Sequence, residues 1–259
     1  MLRIHPLPAF DDNYIWVLTV PEQNACIVVD PGDEEPVLEY LEKQGLELSG
    51  ILVTHGHGDH TGGVRELKKR WPRAMVWGPA REPVPVVEEH LGEGDEISLA
   101  PLPFSCRVMD VPGHTSGHLA YLSGDILFCG DTLFAGGCGR VFSGTHDQLS
   151  DSLRRIAALP AQTLVYCAHE YTLANLGFAL WVEPDNPAIL ARKEAEERKR
   201  ALGLPTVPSR LALELETNPF LRTAEPAVVA AAEAWAGRAL NGHREAFRAL
   251  RDWKDQDYD

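Results

Sequence analysis

Four side chains able to bind a metal ion fall within six consecutive positions: His55, His57, Asp59 and His60, inside the stretch Leu52–Val64. Imidazole and carboxylate suit zinc, iron or manganese, and a neutral imidazole binds without first losing a proton. A solvated histidine-rich loop would read the same over this stretch, so the reading depends on ligands elsewhere in the chain. Three further positions supply them. His114 follows the run Val108–Val111 and a Pro-Gly turn, Asp131 follows Leu127–Gly130, and His169 follows Leu164–Ala168. Each comes directly after a short apolar run, so all could converge at one sheet edge. Seven ligands exceed what one tetrahedral ion takes and suit two metals sharing a bridge. The pair Gly56 and Gly58 lacks the third glycine of a dinucleotide-binding turn, and there is no Gly-x-Ser-x-Gly nucleophile elbow. Asp30, before Pro31-Gly32, reads as a turn residue with a possible orienting role behind the ligands.

The elements that must position these residues are legible as short strands and intervening helices. Apolar runs at Ile4–Leu7, Tyr14–Val20 and Ala25–Val29 are bounded by Pro, Asp, Asn or Gly, which predicts strands. Helical spacing follows over Glu34–Gln44, stopped by Gly45, and again over Val64–Trp71, with Leu67 inward and Arg65, Lys68, Lys69 and Arg70 on a solvated face. Strands are predicted at Ile51–Thr54, Met75–Trp77, Phe104–Asp110, Leu119–Leu122, Ile126–Cys129 and Thr163–Cys167, with a helix at His146–Leu159. After Tyr171 the character changes. Helical periodicity dominates from Asn186 onward, over Pro187–Leu202, Pro226–Leu240 and His243–Lys254. Two sets of strands covered by helices, then helices alone, give an α+β chain. A catalytic domain over 1–173 and an all-helical domain over 174–259 are expected.

The 259 residues carry a formal net charge of −14, which disfavours nucleic acid or an acidic membrane as a partner. No apolar stretch approaches the ~20 residues of a spanning helix, and the first ten residues lack the pattern of a secretory signal. Five widely spaced cysteines, an odd number and none in C-x-x-C spacing, fit reduced thiols better than a disulfide framework. A cytoplasmic protein, expected to be monomeric, is the reading. His5, His90, His118, His146 and His243 are expected to be structural or surface residues, with His118 the strongest candidate for supporting a ligand.

The run Thr54–His60, with His114, Asp131 and His169, resembles the dinuclear metallo-β-lactamase superfamily. That resemblance implies an αββα sandwich in which His55, His57 and His114 bind one metal, Asp59, His60 and His169 bind the second, and Asp131 bridges them. Further stretches resemble the hydroxyacylglutathione hydrolase (glyoxalase II) family. They are Cys129–Phe134 with Gly137–Phe142 and Gly144-Thr145; His169–Thr172 with Asn175-Leu176 and Glu183–Asn186; Pro205–Ser209 and Asn218–Arg222; and Arg251–Gln256. The resemblance then spans essentially the whole chain. It implies two divalent ions, zinc first with iron or manganese as alternatives, and hydrolysis of an S-2-hydroxyacylglutathione such as S-D-lactoylglutathione to glutathione and D-lactate, the second step of methylglyoxal detoxification. A metal-held hydroxide would attack the thioester, with Asp59 and Asp131 as the catalytic carboxylates. Glutathione carries two carboxylates, and Arg140, with Arg251 and Lys254 on one helical face, are the cations expected to meet them. Tyr171 is expected beside the substrate. Phe142 stands where many members have Tyr, and Ser143 where an acid is common. A glutathione-linked persulfide dioxygenase, or another hydrolase of the same fold, is the alternative.

Overall fold

Residues 2–258 are described by the computed structural model. Internal contacts divide them into two compact units, the chain up to Asp110 with Ser116–Gly130, and Val111–Thr115 with the chain from Asp131 on.

In the first unit the N-terminal apolar runs become β1 (Arg3–Ala9), β2 (Asn13–Thr19) and β3 (Ala25–Val29), followed by α1 (Glu35–Gln44) and β4 (Glu47–Leu52). The chain continues through α2 (Gly58–Thr61), α3 (Val64–Arg70), β5 (Met75–Pro79) and β6 (Glu89–Leu91). These six strands form one sheet in sequence order. Its first three strands pair antiparallel and β3 to β6 pair parallel. Parallel strands are buried on both faces, which explains the unbroken apolar reading of Ile51–Val53. Their crossovers carry α1 and α3, whose Val37, Leu41, Val64 and Leu67 pack with Val17, Val28, Ile51 and Val76 into one core. Gly45, with φ of 64°, ends α1 in the left-handed conformation that glycine adopts without penalty. The remaining strands, β7 (Glu96–Ser98), β8 (Ser105–Asp110), β9 (Leu119–Ser123) and β10 (Ile126–Gly130), form an antiparallel meander. It meets the first sheet where the buried Tyr121 hydroxyl donates to the Val53 carbonyl at 2.6 Å and the Leu119 amide to the Thr54 carbonyl at 2.9 Å.

The second unit holds a hairpin of β11 (Leu133–Phe134) and β12 (Gly137–Cys138), then α4 (His146–Ala157) and β13 (Leu164–Cys167). Helices follow: α5 (Thr172–Val182), α6 (Pro187–Ala201), the short strand β14 (Ser209–Arg210), α7 (Leu211–Thr217), α8 (Pro226–Ala236) and α9 (Gly242–Trp253), closed by a π-helical turn at Lys254–Tyr258. β14 pairs antiparallel with β13, so the helical segment returns a strand to the unit's sheet edge. Thr145 caps α4, accepting the Gln148 amide at 3.1 Å. Asn186 caps α6, with Pro187 at its first turn. α5 was hidden from periodicity because it is apolar almost all round, as a helix buried on most sides must be. The expected domain boundary after residue 173 lies within this helix.

Among the described residues no helix is long and apolar enough to cross a membrane. All five cysteines are buried free thiols. Burial pushes Cys26, Cys106 and Cys167 up to about 12, and Cys138 to about 11 despite the opposing charge of Arg251.

Candidate metal centre

In the first unit, β4 delivers the chain to a turn fastened by one buried carboxylate. Asp30 sits in the left-handed region, with φ of 53°, directly after β3. It accepts the Thr54 amide at 2.7 Å and the Thr54 hydroxyl at 2.8 Å. Its second oxygen also accepts from His60 Nδ1 at 3.1 Å. Because the Thr54 hydroxyl proton goes to Asp30, its oxygen is left to accept from His55 Nδ1, 3.1 Å away. Both rings are thereby fixed in the tautomer that presents Nε2 as a lone pair, which is how a metal-binding histidine is normally held. His60 Nε2 lies 3.5 Å from Asp59 Oδ2. Asn13 holds the Asp59 carboxylate and carbonyl from below, at 3.2 and 3.3 Å. His57 precedes α2, and its carbonyl accepts the His60 amide and the Thr61 hydroxyl. The His55 ring lies 4.7 Å from that of His57 and 4.1 Å from that of His60. This packing is possible only because the backbones touch: a Cβ on Gly32 would overlap the Asp59 carbonyl, and one on Gly62 the Gly32 carbonyl.

In the second unit His114 donates Nδ1–H to the Arg140 carbonyl at 2.8 Å, which turns Nε2 toward Asp131. Asp131 Oδ2 lies 3.5 Å from His114 Nε2 and 3.4 Å from His169 Nε2. Ligands bonded at ~2.0–2.1 Å to a tetrahedral ion are about 3.3 Å apart, so these spacings, and that of His60 to Asp59, match ligand edges better than good hydrogen bonds. Tyr171 stacks on His169 with ring centres 4.7 Å apart, and Phe134 meets both rings edge-on. Phe142 meets His114 edge-on at 5.2 Å and is 65% exposed.

The seven sequence-derived candidates thus form two sets, His55, His57, Asp59 and His60 together in the first unit and His114, Asp131 and His169 together in the second. The donor set, imidazole nitrogens with aspartate oxygens and no sulfur, fits a divalent ion of the zinc, iron or manganese kind. The expected substrate cations divide by exposure. Arg140 is exposed, with Nε 3.5 Å from Asp255 Oδ1. Arg251 is buried at 1% exposure, donates to both Asp255 oxygens at 2.9 and 3.2 Å and to the Cys138 carbonyl at 3.1 Å, and lies over the Phe220 ring. Lys254 is buried with Nζ 5.6 Å from the Tyr258 ring centre.

Of the residues that support the centre, sequence reasoning weighed Asp30 and His118 and passed over Glu82 and Asn13. Asp30, read mainly as a turn residue, is both the turn and the carboxylate that orients His60. Its position at a strand end was the available signal. His118 is fully buried, stacks on His55 at 4.5 Å, and points Nδ1 at the Leu119 carbonyl. Glu82 receives the amides of Gly56 and Gly117 at 2.6 and 2.9 Å. Neither Glu82 nor Asn13 carried a signal, since each stands beside other polar residues in a loop or at a strand start, where such residues are ordinary.

Residues 9–169 match the metallo-beta-lactamase superfamily, and residues 170–257 match the hydroxyacylglutathione hydrolase C-terminus. A protein of Alkalilimnicola ehrlichii named hydroxyacylglutathione hydrolase is 54% identical over 99% of this chain and all of its own length. One of Pseudomonas fluorescens with the same name is 51% identical over 99% of this chain and all of its own. The chain belongs to the hydroxyacylglutathione hydrolase family. Two solved structures agree with the fold. The BLEG-1 B3 metallo-beta-lactamase has a TM-score of 0.63 at 22% identity over 85% of this chain and 99% of its own. TTHA1623, solved in a di-iron-bound form, has a TM-score of 0.59 at 25% identity over 84% of this chain and all of its own. The fold is therefore α+β, an αββα metallo-β-lactamase-type sandwich followed by a smaller helical C-terminal domain, as expected for a member of this family.

Proposed function

We propose that the chain hydrolyses the thioester of an S-2-hydroxyacylglutathione, S-D-lactoylglutathione foremost, releasing glutathione and the 2-hydroxy acid. The observation that carries this is full-length identity of 50% and more to hydroxyacylglutathione hydrolases, together with the seven-residue His/Asp set. Under this reading His55, His57 and His114 hold one divalent ion, Asp59, His60 and His169 the other, and Asp131 is shared, with zinc the first choice. Two such ions, when bound, supply an acidified water as nucleophile and polarise the thioester carbonyl.

The chain's own residues do the rest. Asp30 and Thr54 fix the tautomers of His60 and His55, and the Arg140 carbonyl fixes that of His114. Asp59, held by Asn13, would accept a hydrogen bond from the nucleophile and so orient it. A thiolate whose conjugate acid has pKa near ~8.5 leaves without a protein acid, so no side chain is needed for that proton. Tyr171, Arg140 and Lys254 are the groups proposed to meet the glutathione moiety, with Arg251 beneath them joined to Arg140 through Asp255. We take residues 1–173 as the catalytic part and 174–259 as the glutathione-binding part of a monomeric, cytoplasmic enzyme.

The test is metal analysis of the purified chain alongside hydrolysis of S-D-lactoylglutathione, followed by thiol release, with and without chelator. Two equivalents of metal and chelator-sensitive release of free thiol are expected. Oxygen-dependent formation of sulfite from glutathione persulfide, without thioester hydrolysis, would overturn the reading in favour of a dioxygenase.

A further inference from the structure

The hairpin β11–β12 lies between two pieces of the proposed machinery. Asp131 precedes it by two residues, and Gly139-Arg140 follow it directly. Its loop residues are buried, so their backbone groups must find partners inside the protein. Side chains from α5, from α7 and from the residue ending α7 supply them. Asn218 donates its amide hydrogens to the Phe134 carbonyl at 3.2 Å and the Gly137 carbonyl at 2.9 Å. Asn175 donates to the Ala135 carbonyl at 3.1 Å, and Glu214 accepts the Gly136 amide at 2.8 Å. Four consecutive residues of the hairpin are thus held by three side chains at least 40 positions further along the chain. All three are buried.

The holder is itself braced. Glu214 also receives Arg192 at 2.5 Å and the Ser209 hydroxyl, while Arg192 reaches Thr217 at 2.6 Å. A buried ion pair of this kind adds little net stability, because desolvating both charges offsets their attraction. What it does supply is a fixed direction for each hydrogen bond. Glycine at 137 is required, since a Cβ there would fall on the Asn175 carboxamide.

We infer that Asn218, with Asn175 and Glu214, is a positioning device through which the helical segment sets the Asp131–Arg140 strip, and above all the place of the Arg140 side chain. Gly139, packed on the Asp131 carbonyl, keeps the near end of the strip in register. Arg140 lies at the far end with its side chain exposed, so loosening the hairpin is felt first as weaker hold on the substrate. The assignment rests on the hydrolase reading above for its kinetic part only.

Asn218→Ala and Asn175→Ala test it, with Arg238→Ala as a control, because Arg238 bonds Glu245 at 2.7 Å and the Ala239 carbonyl at 3.0 Å in the same helical segment, away from the hairpin and its holders. For Asn218→Ala the KM for S-D-lactoylglutathione should rise about tenfold, as for loss of hydrogen bonds that fix a contact. Its kcat per metal-loaded molecule should change less than about threefold. Asn175→Ala should move the same way by less, and covers the case in which the Asn218 variant does not fold. Hydrogen exchange of the Gly136–Arg140 amides should quicken in both variants and not in Arg238→Ala. Unchanged exchange in the hairpin, or an unchanged KM with loss only of folded protein, would overturn the inference. If the wild-type chain fails to turn over the thioester, the proposed function falls while the exchange result still decides the positioning role.

Discussion

The two units hold their functional side chains by opposite means. In the first, His55, His57, Asp59 and His60 come from six positions, with Thr54 next door and Asp30 and Gly32 just after the adjoining strand, while Asn13 and Glu82 reach in from further away in the chain. In the second, His114, Asp131, Arg140 and His169 are scattered over some fifty residues, and the strip that carries two of them is held by Asn175, Glu214 and Asn218 from later in the chain. A parallel strand end is a rigid mount that needs little besides its neighbour. A two-residue hairpin has no such rigidity and borrows it from buried polar side chains. Candidate ligands stand on both kinds of support, and Arg140, the exposed candidate substrate cation, stands on the second.

Substitutions can break this contrast, the most damaging first. Asp131→Ala should abolish thioester hydrolysis and lower the metal content below two, read by kinetics with elemental analysis. Full metal content with wild-type turnover would remove Asp131 from the bridging role. Asp30→Asn keeps the shape of the mount but weakens its hold on His60. Metal affinity should fall about 10–100-fold by chelator competition, the usual cost of losing a carboxylate behind a ligand. An unchanged affinity would mean that Thr54 and backbone alone fix the turn. Arg140→Ala should raise KM about tenfold with kcat nearly unchanged, since an exposed charge-assisted contact contributes about 1.5 kcal/mol. A fall in kcat instead would place that residue on the chemical side of the comparison. Phe142→Tyr restores a hydroxyl at an exposed ring beside His114, and should lower KM by about two- to tenfold if that hydroxyl gains one hydrogen bond to substrate.

The smallest effect at neutral pH comes from the thiols. Unfolded cysteines ionise near 9, whereas burial holds Cys26, Cys106 and Cys167 near 12 and Cys138 near 11. A thiol pKa raised in the folded state contributes stability that is complete below pH 9 and is lost as pH rises toward 11–12. Thermal unfolding followed from about pH 8 to 11 should show a Tm that declines above about 9, and the decline should be shallower in Cys106→Ala. A flat profile would show that these sites open before they ionise.

Long periodic elements are readable because one property decides them. The helices at α1, α4, α6 and α9 and the strands β1 to β5 follow from apolar spacing and from Gly, Pro, Thr and Asn at their ends. Short strands β6, β7, β11, β12 and β14 escape, since two or three residues carry no period and only their partners define them. The candidate ligands are legible because a His or Asp after a buried apolar run stands where a strand delivers its side chains, and packing alone seldom calls for those residue types there. Their supports are not. Glu82, Asn13 and Asn218 differ in no local way from solvated polar residues, and only folding puts amides and carbonyls in front of them.

The amino-acid order alone singled out the seven candidate ligands, the α+β character and the family, because a strand end hands neighbouring side chains to one place and the residue types state the chemistry. Tertiary structure alone decided which nitrogen His55, His60 and His114 present, that Arg251 is buried against Asp255 while Arg140 is exposed, and that a hairpin in the middle of the chain is held from its helical end. Those outcomes depend on directions and distances between residues far apart in the chain, which a linear pattern does not contain.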